Sequence, residues 1–269
     1  MPTRTRDFGS ELRNWRTTRR FSQLELAVES GVSQRHLSFL ETGRAAPSRE
    51  MVIHLSVVLG VPLQQRNQLL LAAGFAPVYQ QTDLSAPAMR QVTDTLEFIL
   101  NAHAPNPAIV IDRRWDVVMS NSAAGRLTAA LIDPATAPVD RGVNIARLAF
   151  HPAGLRKHTI DWERTAAEML TRLEREVGDR PGDEDLAALV EEVLSYPGVA
   201  ELHRRSALPT QDDLLLPVHY RSGDLDLRLF STISTIGAPY DITLEELRLE
   251  TFFPADQASA GALRALSGA

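Results

Sequence analysis

Residues 22–48, SQLELAVESGVSQRHLSFLETGRAAPS, decide the fold of the amino-terminal part of the chain. Ser22 is a favourable helix N-cap, and Glu25 at the third helical position completes a capping-box pattern. Gly31 ends this helix, because glycine adopts the backbone of a tight turn without strain. Ser33 then caps the helix that follows. The stretch therefore predicts two short helices joined by a tight turn.

Three further helices are predicted around this pair. Apolar residues recur at helical spacing in residues 7–20, which precede it. A fourth helix begins at Pro47-Ser48, and residues 60–62 separate it from a fifth helix that Gly74 ends. The sequence therefore predicts an all-α unit of five helices in residues 1–75.

Formal charge is divided unevenly along the chain. Residues 1–75 hold ten arginines and six acidic residues, a net charge of +4, whereas residues 76–269 carry −10 and the whole chain −6. A basic unit is attracted to nucleic-acid phosphates, and an acidic remainder is repelled by them. The distribution favours double-stranded DNA as the partner of the first unit.

The second helix of the central pair carries residue types that read DNA bases. Its Leu37 and Leu40 can pack inward, which turns the polar side of the helix outward. Donors and acceptors near the start of such a helix reach base edges in the major groove, and Gln23 and Arg44 are placed to bind phosphates. The predicted DNA contacts are Gln23, Ser33, Gln34, Arg35, His36, Ser38 and Arg44. On pattern alone, a small helical bundle without a DNA function remains an open alternative.

Residues 11–74 resemble the XRE family of phage-repressor-like helix-turn-helix domains. The matching positions are Ser22-Gln23, Ala27, Gly31-Val32-Ser33, Leu40-Glu41, Gly43-Arg44 and Pro47-Ser48. The resemblance implies DNA binding by a transcriptional regulator. It also implies that the foremost candidates for DNA contact are Gln23, Gln34, Arg35 and Ser38. His36 and Arg44 rank next among the candidates.

A second domain is predicted in residues 88–269, after a linker in residues 76–87. Arg113-Arg114 and residues 222–224 are typical hairpin turns. Strands are predicted at 108–112, 115–120, 214–221, 225–236 and 247–253. Helices are predicted near 87–102, 122–131, 143–150, 160–177, 184–194, 199–205 and after Pro254. We expect an α+β domain with one antiparallel sheet and helices against one of its faces.

This second domain resembles the PAS-like ligand-binding domain of MmyB-like regulators. The resemblance lies in IVIDRRWDVVMSNSAAGRL, VNIARLAFHPAGLRKHTIDWERTAAEML, SGDLDLRLFSTIS and LRLETFFPAD. The matching positions are Asp112, Arg114-Trp115, Asn121, Asn144, Arg147 and Asp161-Trp162. This resemblance implies that the second domain senses a small molecule. Together, the two resemblances imply an all-α five-helix helix-turn-helix domain followed by an α+β PAS-like domain.

The many aliphatic residues and the family resemblance both favour an apolar ligand, such as a fatty acid or another lipophilic metabolite, and no other cofactor. The predicted pocket residues are Ile111, Val118, Asn121, Leu148, Phe150, Trp162, Met169, Leu229 and Ile233. A polar contact is expected from Asn121, Arg147 or His158. Two alternatives stay open: these residues form ordinary core, or the domain is a protein-interaction module without a metabolite.

Other functional classes are disfavoured. The chain has no cysteine and only seven scattered histidines, and no catalytic motif or phosphate-binding glycine loop occurs in it, so we expect no enzyme. The acidic stretch Gly182-Asp183-Glu184-Asp185 is interpreted as the solvated start of a helix. No apolar run approaches the ~18 residues of a membrane helix, and no signal peptide is recognised, which favours a cytoplasmic protein. We expect a homodimer, because the two-fold symmetry of such a dimer would match a palindromic operator.

Overall fold

The computed structural model describes residues 7–140, 142–205, 218–237 and 239–268. The chain forms two compact units. The first consists of Met1–Thr82, Gly178–Arg180 and Ala238–Glu245, and the second of Asp83–Val177, Pro181–Gly237 and Glu246–Ala269. Among the described residues, no helix is both long enough and apolar enough to cross a membrane.

The amino-terminal part of the first unit is the predicted five-helix bundle. Its helices are α1 (Phe8–Thr18), α2 (Gln23–Ser30), α3 (Gln34–Glu41), α4 (Arg49–Val58) and α5 (Leu63–Ala72). Leu26, Leu37 and Leu55 are fully buried at its centre, where three helices meet. The all-α prediction for this part of the chain is confirmed.

Local signals in the sequence set the bounds of α2 and α3. The Ser22 hydroxyl accepts a hydrogen bond from the Glu25 amide, and the Glu25 carboxylate accepts one from the Ser22 amide at 2.6 Å. Gly31 follows with a φ of 68°, a left-handed conformation that favours glycine. The Ser33 hydroxyl then caps α3 through the His36 amide. These contacts fix the tight turn between the two helices.

The second unit is built on an antiparallel sheet. Its strands are β1 (Ala108–Ile111), β2 (Val117–Ser120), β3 (Thr159–Ile160), β4 (Val218–Ser222), β5 (Leu225–Thr235) and β6 (Arg248–Pro254), in the order β2-β1-β6-β5-β4-β3. The first and last strands along the chain are neighbours in the sheet, with Val110 opposite Leu249. The α+β prediction is therefore confirmed. Residues 214–217 of one predicted strand lie outside the described residues, and the short strand β3 was not predicted.

Helices pack against both faces of this sheet. The remaining helices are α6 (Arg90–Ala102), α7 (Ser122–Leu131), α8 (Ile145–Phe150), α9 (Trp162–Asp179), α10 (Glu184–Ser195), α11 (Val199–Arg205), α12 (Ile242–Glu246) and α13 (Gln257–Ser267). Ile109 packs with Ala124 of α7 on one face. On the other face, the ring of His103, just after α6, packs edge-on against Phe253 at 4.9 Å. The expectation of helices on one face alone is wrong, because residues 90–103 pack against part of the second face.

The start of α10 is solvated at Glu184 and Asp185, as expected, but its N-cap Asp183 is buried. Asp183 caps α10 through the Leu186 amide and is only 9% exposed. Both of its carboxylate oxygens accept hydrogen bonds from Arg113 Nη1 at 2.7 Å, and Arg113 Nε lies 3.3 Å from Glu246. The β1–β2 turn lies beside α10, so Asp183 becomes part of a buried ion-pair network with Arg113.

Candidate nucleic-acid interface and ligand-binding site

The polar side of α3 faces away from the core of its unit. Leu37 and Leu40 are 0% and 1% exposed and hold the helix against the bundle. The predicted DNA contacts Ser33, Gln34, Arg35 and Arg44 are exposed, and Gln23, His36 and Ser38 are half-buried. A helix with this arrangement has a free polar side that can enter a groove of DNA.

A buried ion pair fixes the far end of α3. Arg16 of α1 donates two hydrogen bonds to the Glu41 carboxylate, Nε to Oε1 at 2.6 Å and Nη2 to Oε2 at 3.0 Å. The bond to Glu41 raises the pKa of Arg16. Arg16 Nη1 also donates to the Phe21 carbonyl at 2.8 Å. Nothing in the sequence identified Glu41 as the partner of Arg16.

Gln23 belongs to the same network. Its Nε2 donates to Glu41 Oε2 at 2.9 Å, which connects the start of α2 to the end of α3. This contact restricts the side chain that we expected to bind a phosphate. Gln23 therefore helps to orient α2 and α3, in addition to any contact that it makes with DNA.

The two arginines of the candidate interface are placed differently. The Arg35 guanidinium carbon lies 5.4 Å from the centre of the Phe39 ring, one turn along α3. Arg44 follows Gly43, whose φ is 70°, and the Arg44 amide donates to the Phe39 carbonyl at 2.8 Å. Arg35 thus projects from the helix itself, whereas Arg44 projects from the turn beyond it.

The nine predicted pocket residues are distributed over several parts of the carboxy-terminal domain. Ile111, Leu148 and Leu229 belong to three apolar clusters on or beside the sheet, which share some partly buried residues at their borders. Phe150, Trp162 and Met169 lie in a fourth cluster, formed mainly by α8–α11. Val118 and Ile233 are 37% and 43% exposed. Residues 145–205 pack mainly helix on helix, which separates their aromatic residues from those on the strands.

The polar groups expected to contact a ligand already have partners or lie elsewhere. Asn121, the N-cap of α7, accepts from the Ala108 and Ala124 amides and donates to the carbonyls of Leu100 and Asn106. Arg147 donates to Glu192 at 2.8 and 3.0 Å, which raises the pKa of Arg147. His158 is half-buried in the short 3-10 turn Leu155–His158. Asn121 and Arg147 therefore stabilise the fold.

Sequence reasoning missed a charged cluster against the sheet, formed by Arg172, Glu176, Arg248 and Glu250. Glu176 Oε1 accepts from Arg248 Nη1 at 2.5 Å and from Arg172 Nε at 3.2 Å. Glu176 Oε2 accepts from Trp115 Nε1 at 3.0 Å. The spacing of Arg172 and Glu176, four residues apart on α9, is a sequence signal for an ion pair, but not for its burial.

Glu250 forms the other side of the charged cluster. Its Oε1 accepts from the Ser231 hydroxyl at 2.7 Å, and its Oε2 lies 4.0 Å from Arg172 Nη1. Glu250 and Arg248 are 7% and 9% exposed. Their positions in β6 put both on the same face of the sheet.

An apolar region surrounds Tyr220 of β4. Two apolar clusters share Leu127, Tyr220 and Leu225, and all three side chains are only partly buried. Burial raises the pKa of Tyr220, and the negative charge of Glu250 raises it further. The phenol therefore remains neutral and can donate a hydrogen bond. In the part of the chain that the structure describes, no group of three acidic or histidine side chains is arranged to hold a metal ion.

Comparisons with known protein families agree with both the amino-terminal helical bundle and the carboxy-terminal α+β domain. A family model described as a helix-turn-helix domain matches residues 7–69. A second model, described as the MmyB-like transcription regulator ligand binding domain, matches residues 92–266. A comparison with curated protein sequences gives no match. Because the second model covers more than half of the chain, the protein belongs to the MmyB-like transcription regulators, with an amino-terminal helix-turn-helix domain and a carboxy-terminal ligand-binding domain.

Proposed function

We propose that this regulator binds a specific operator sequence through α3 and responds to an apolar small molecule in its carboxy-terminal domain. The observation that carries the first part is the exposure of Ser33, Gln34 and Arg35 on a helix whose Leu37 is fully buried. Buried packing fixes the helix, and the polar side remains free for base edges.

The apolar nature of the ligand is supported by the region around Tyr220. Leu127 and Leu225 lie there beside apolar clusters and are only partly buried, although they are aliphatic. Incompletely buried aliphatic side chains on a sheet face favour an apolar occupant, such as a fatty-acid-like or other lipophilic metabolite. Of the predicted pocket residues, Leu148 and Leu229 belong to these same clusters.

The proposed regulator acts as a homodimer in the cytoplasm, and no catalytic step is needed. Two copies related by a two-fold axis would read half-sites of a palindromic operator about 34 Å apart, or a multiple of that distance. The ligand regulates DNA binding only if it favours one arrangement of the dimer, typically by about 1–3 kcal/mol.

Selection of DNA from a random library tests the first part of the proposal. We expect the full-length protein to enrich a palindromic motif and to bind it far more tightly than a scrambled duplex at the same salt concentration. Enrichment of no common motif, with equal affinity for all duplexes, would contradict sequence-specific binding.

Mass spectrometry of molecules extracted from the purified protein tests the second part. We expect a lipophilic compound to be released in near-stoichiometric amount, and its return to change the affinity for the selected DNA.

A protein partner is the second candidate for the carboxy-terminal domain, favoured by the outer face of α6. Phe98 is 73% exposed there, beside a groove of about 650 Å³ that Pro87 and Asp94 also line. Absence of any bound or regulating lipophile, together with loss of a partner from a Phe98→Ala variant, would favour this candidate.

A further inference from the structure

Two short segments from the second half of the chain belong to the first unit. They are Gly178–Arg180 and Ala238–Glu245, and they interrupt the second unit, which resumes at Pro181 and at Glu246. At both ends of each segment the chain continues into the second unit. A change within the second unit can therefore reach the first unit along the backbone itself, through either segment.

The longer segment supplies a cap for α5, the last helix of the bundle. Glu245 Oε2 accepts a hydrogen bond from the Leu63 amide, the first of this helix, at 2.7 Å. Pro62 precedes the helix and has no side-chain group that could do so, and thus Glu245 provides an acceptor that the helix start needs. Asp241 Oδ2 also accepts from the Thr82 hydroxyl at 2.6 Å. The segment is thus held in the first unit at both of these residues.

The shorter segment contacts the turn that precedes α5. Asp179 Oδ1 accepts from Arg19 Nη1 at 2.9 Å, and Arg19 Nη2 donates to the Gly60 carbonyl at 3.2 Å. The Asp179 side chain is exposed, so we expect this ion pair to contribute less than the Glu245 cap. Both segments therefore contact residues 60–63, either directly or through Arg19.

One buried arginine of the second unit pairs with the residues at which the chain returns from both segments. Arg113 Nη1 donates to both carboxylate oxygens of Asp183, which lies just after the shorter segment. Arg113 Nε lies 3.3 Å from the carboxylate of Glu246, which directly follows the longer segment. All three side chains are buried, and a buried ion pair holds its partners firmly. Arg113 therefore fixes both return points in the second unit.

Arg113 belongs to the turn between β1 and β2 of the ligand-binding domain. β1 pairs with both β2 and β6 in the sheet. A displacement of the β1–β2 turn would move the guanidinium and the carboxylates that are paired with it. Because a peptide bond joins Glu246 to Glu245, this motion would change the distance and angle of the hydrogen bond to the Leu63 amide, and hydrogen bonds weaken steeply as they bend.

We propose that Arg113 couples the ligand-binding domain to the DNA-binding domain, because it holds the return points of both segments and its displacement loosens the Glu245 cap on α5. The inference rests on the proposed regulation of DNA binding by a ligand and names the residues that transmit it. Leu70 of α5 and Leu37 of α3 belong to the same hydrophobic core. A looser α5 therefore affects the helix that is proposed to read DNA.

Hydrogen exchange of the Leu63 amide, followed by NMR in the full-length protein, tests this coupling without a ligand. Glu245→Ala removes the acceptor and should speed the exchange about tenfold. Arg113→Lys keeps the charge but loses the forked contact with two carboxylates, and should speed the exchange by about threefold or more. Arg147→Lys is the matched control, because Arg147 is ion-paired with Glu192 in the second unit but with neither return point. Its exchange rate should stay within about twofold of the wild type.

Two further proteins show whether Arg113 acts through Glu245. In the Glu245→Ala background, Arg113→Lys should speed the Leu63 exchange no further, because the cap is already absent. Glu246→Gln should speed it in the same direction as Arg113→Lys, and it replaces that variant if Arg113→Lys does not fold. The affinity of Arg113→Lys or Glu246→Gln for the selected operator should fall by about threefold.

The outcomes separate this coupling from the proposed function. Unchanged Leu63 exchange in Glu245→Ala, or in every folded variant of Arg113 and Glu246, would overturn the coupling and leave the reading of DNA by α3 intact. An equal acceleration with and without the Glu245 carboxylate would also overturn it, since it would indicate a general loosening. Failure to select any operator would contradict the proposed function, whereas the exchange rates would still decide whether Arg113 acts on α5.

Discussion

Arg35 and Arg44 carry the same charge, but the backbone places them differently, and we therefore expect different contacts with DNA. Arg35 lies on α3 itself, with its guanidinium 5.4 Å from the Phe39 ring. Arg44 lies one residue beyond the left-handed Gly43, outside the helix. A side chain on the groove-facing helix can read bases, whereas one on the following turn is better placed for the phosphate backbone.

Arg35→Ala is expected to change sequence preference. Loss of a bidentate contact to a base should cost about 1–3 kcal/mol on the selected operator and relax preference at one base pair of each half-site. Binding to every single-base variant of the operator would be compared for the two proteins. Arg13→Ala is the control, because Arg13 is exposed on α1. Unchanged preference at every base pair would remove Arg35 from the set of base-reading residues.

Arg44→Ala is expected to weaken binding to all sequences alike. Without this guanidinium, one fewer counterion is released from the phosphates when a protomer binds. The dependence of log K on log salt concentration should therefore become less steep by about one unit per protomer. Binding isotherms at several salt concentrations measure this slope. A change in base preference with an unchanged slope would contradict the assignment to the phosphate backbone.

At the scale of elements, the sequence predicted α2, α3 and their turn well because their signals are local. The capping residues, Gly31 and the buried leucines all lie within one short stretch. The ion pair between Arg16 and Glu41 joins residues 25 positions apart, and no local pattern identifies such a partner. The same limit explains why the predicted pocket residues fall into separate clusters. The sequence placed Phe150 and Leu229 in one predicted pocket, but it did not show that one packs among helices and the other on the sheet.

Glu41→Gln is expected to loosen α3. The substitution leaves the buried Arg16 without its charged partner, and breaking such a pair typically costs about 3–5 kcal/mol. Urea denaturation would measure the loss of stability, and operator affinity should fall with it because α3 loses its anchor. Glu29→Gln, on the exposed side of α2, should leave both quantities nearly unchanged. Full stability of Glu41→Gln would show that apolar packing alone positions α3.

Asn121→Ala is expected to destabilise the carboxy-terminal domain. It removes the N-cap of α7 and leaves two buried amides without their acceptor, for a cost of about 3 kcal/mol. Thermal or urea unfolding of the full-length protein measures it. Asn101→Ala, at an exposed position of α6, serves as the control. A stability equal to that of the wild type would indicate that the Asn121 amide is available to a ligand after all.

At the scale of the whole molecule, the two halves of the chain have complementary compositions. The basic charge of residues 1–75 accompanies a helix-turn-helix domain, and the acidic charge of residues 76–269 accompanies a ligand-binding domain. Such a division keeps phosphate attraction on the DNA-binding half and limits nonspecific contacts of the other. The proposed regulation requires a ligand that distinguishes two arrangements of the proposed homodimer.

Methylation interference on the selected operator tests most directly whether α3 enters the major groove. A methyl group on guanine N7 projects into the major groove, whereas one on adenine N3 projects into the minor groove. We expect N7 methylation of guanines within the half-sites to prevent binding, and N3 methylation of adenines in the same half-sites to have little effect. Strong interference from adenine N3 alone, or from neither modification, would contradict the reading of DNA by α3.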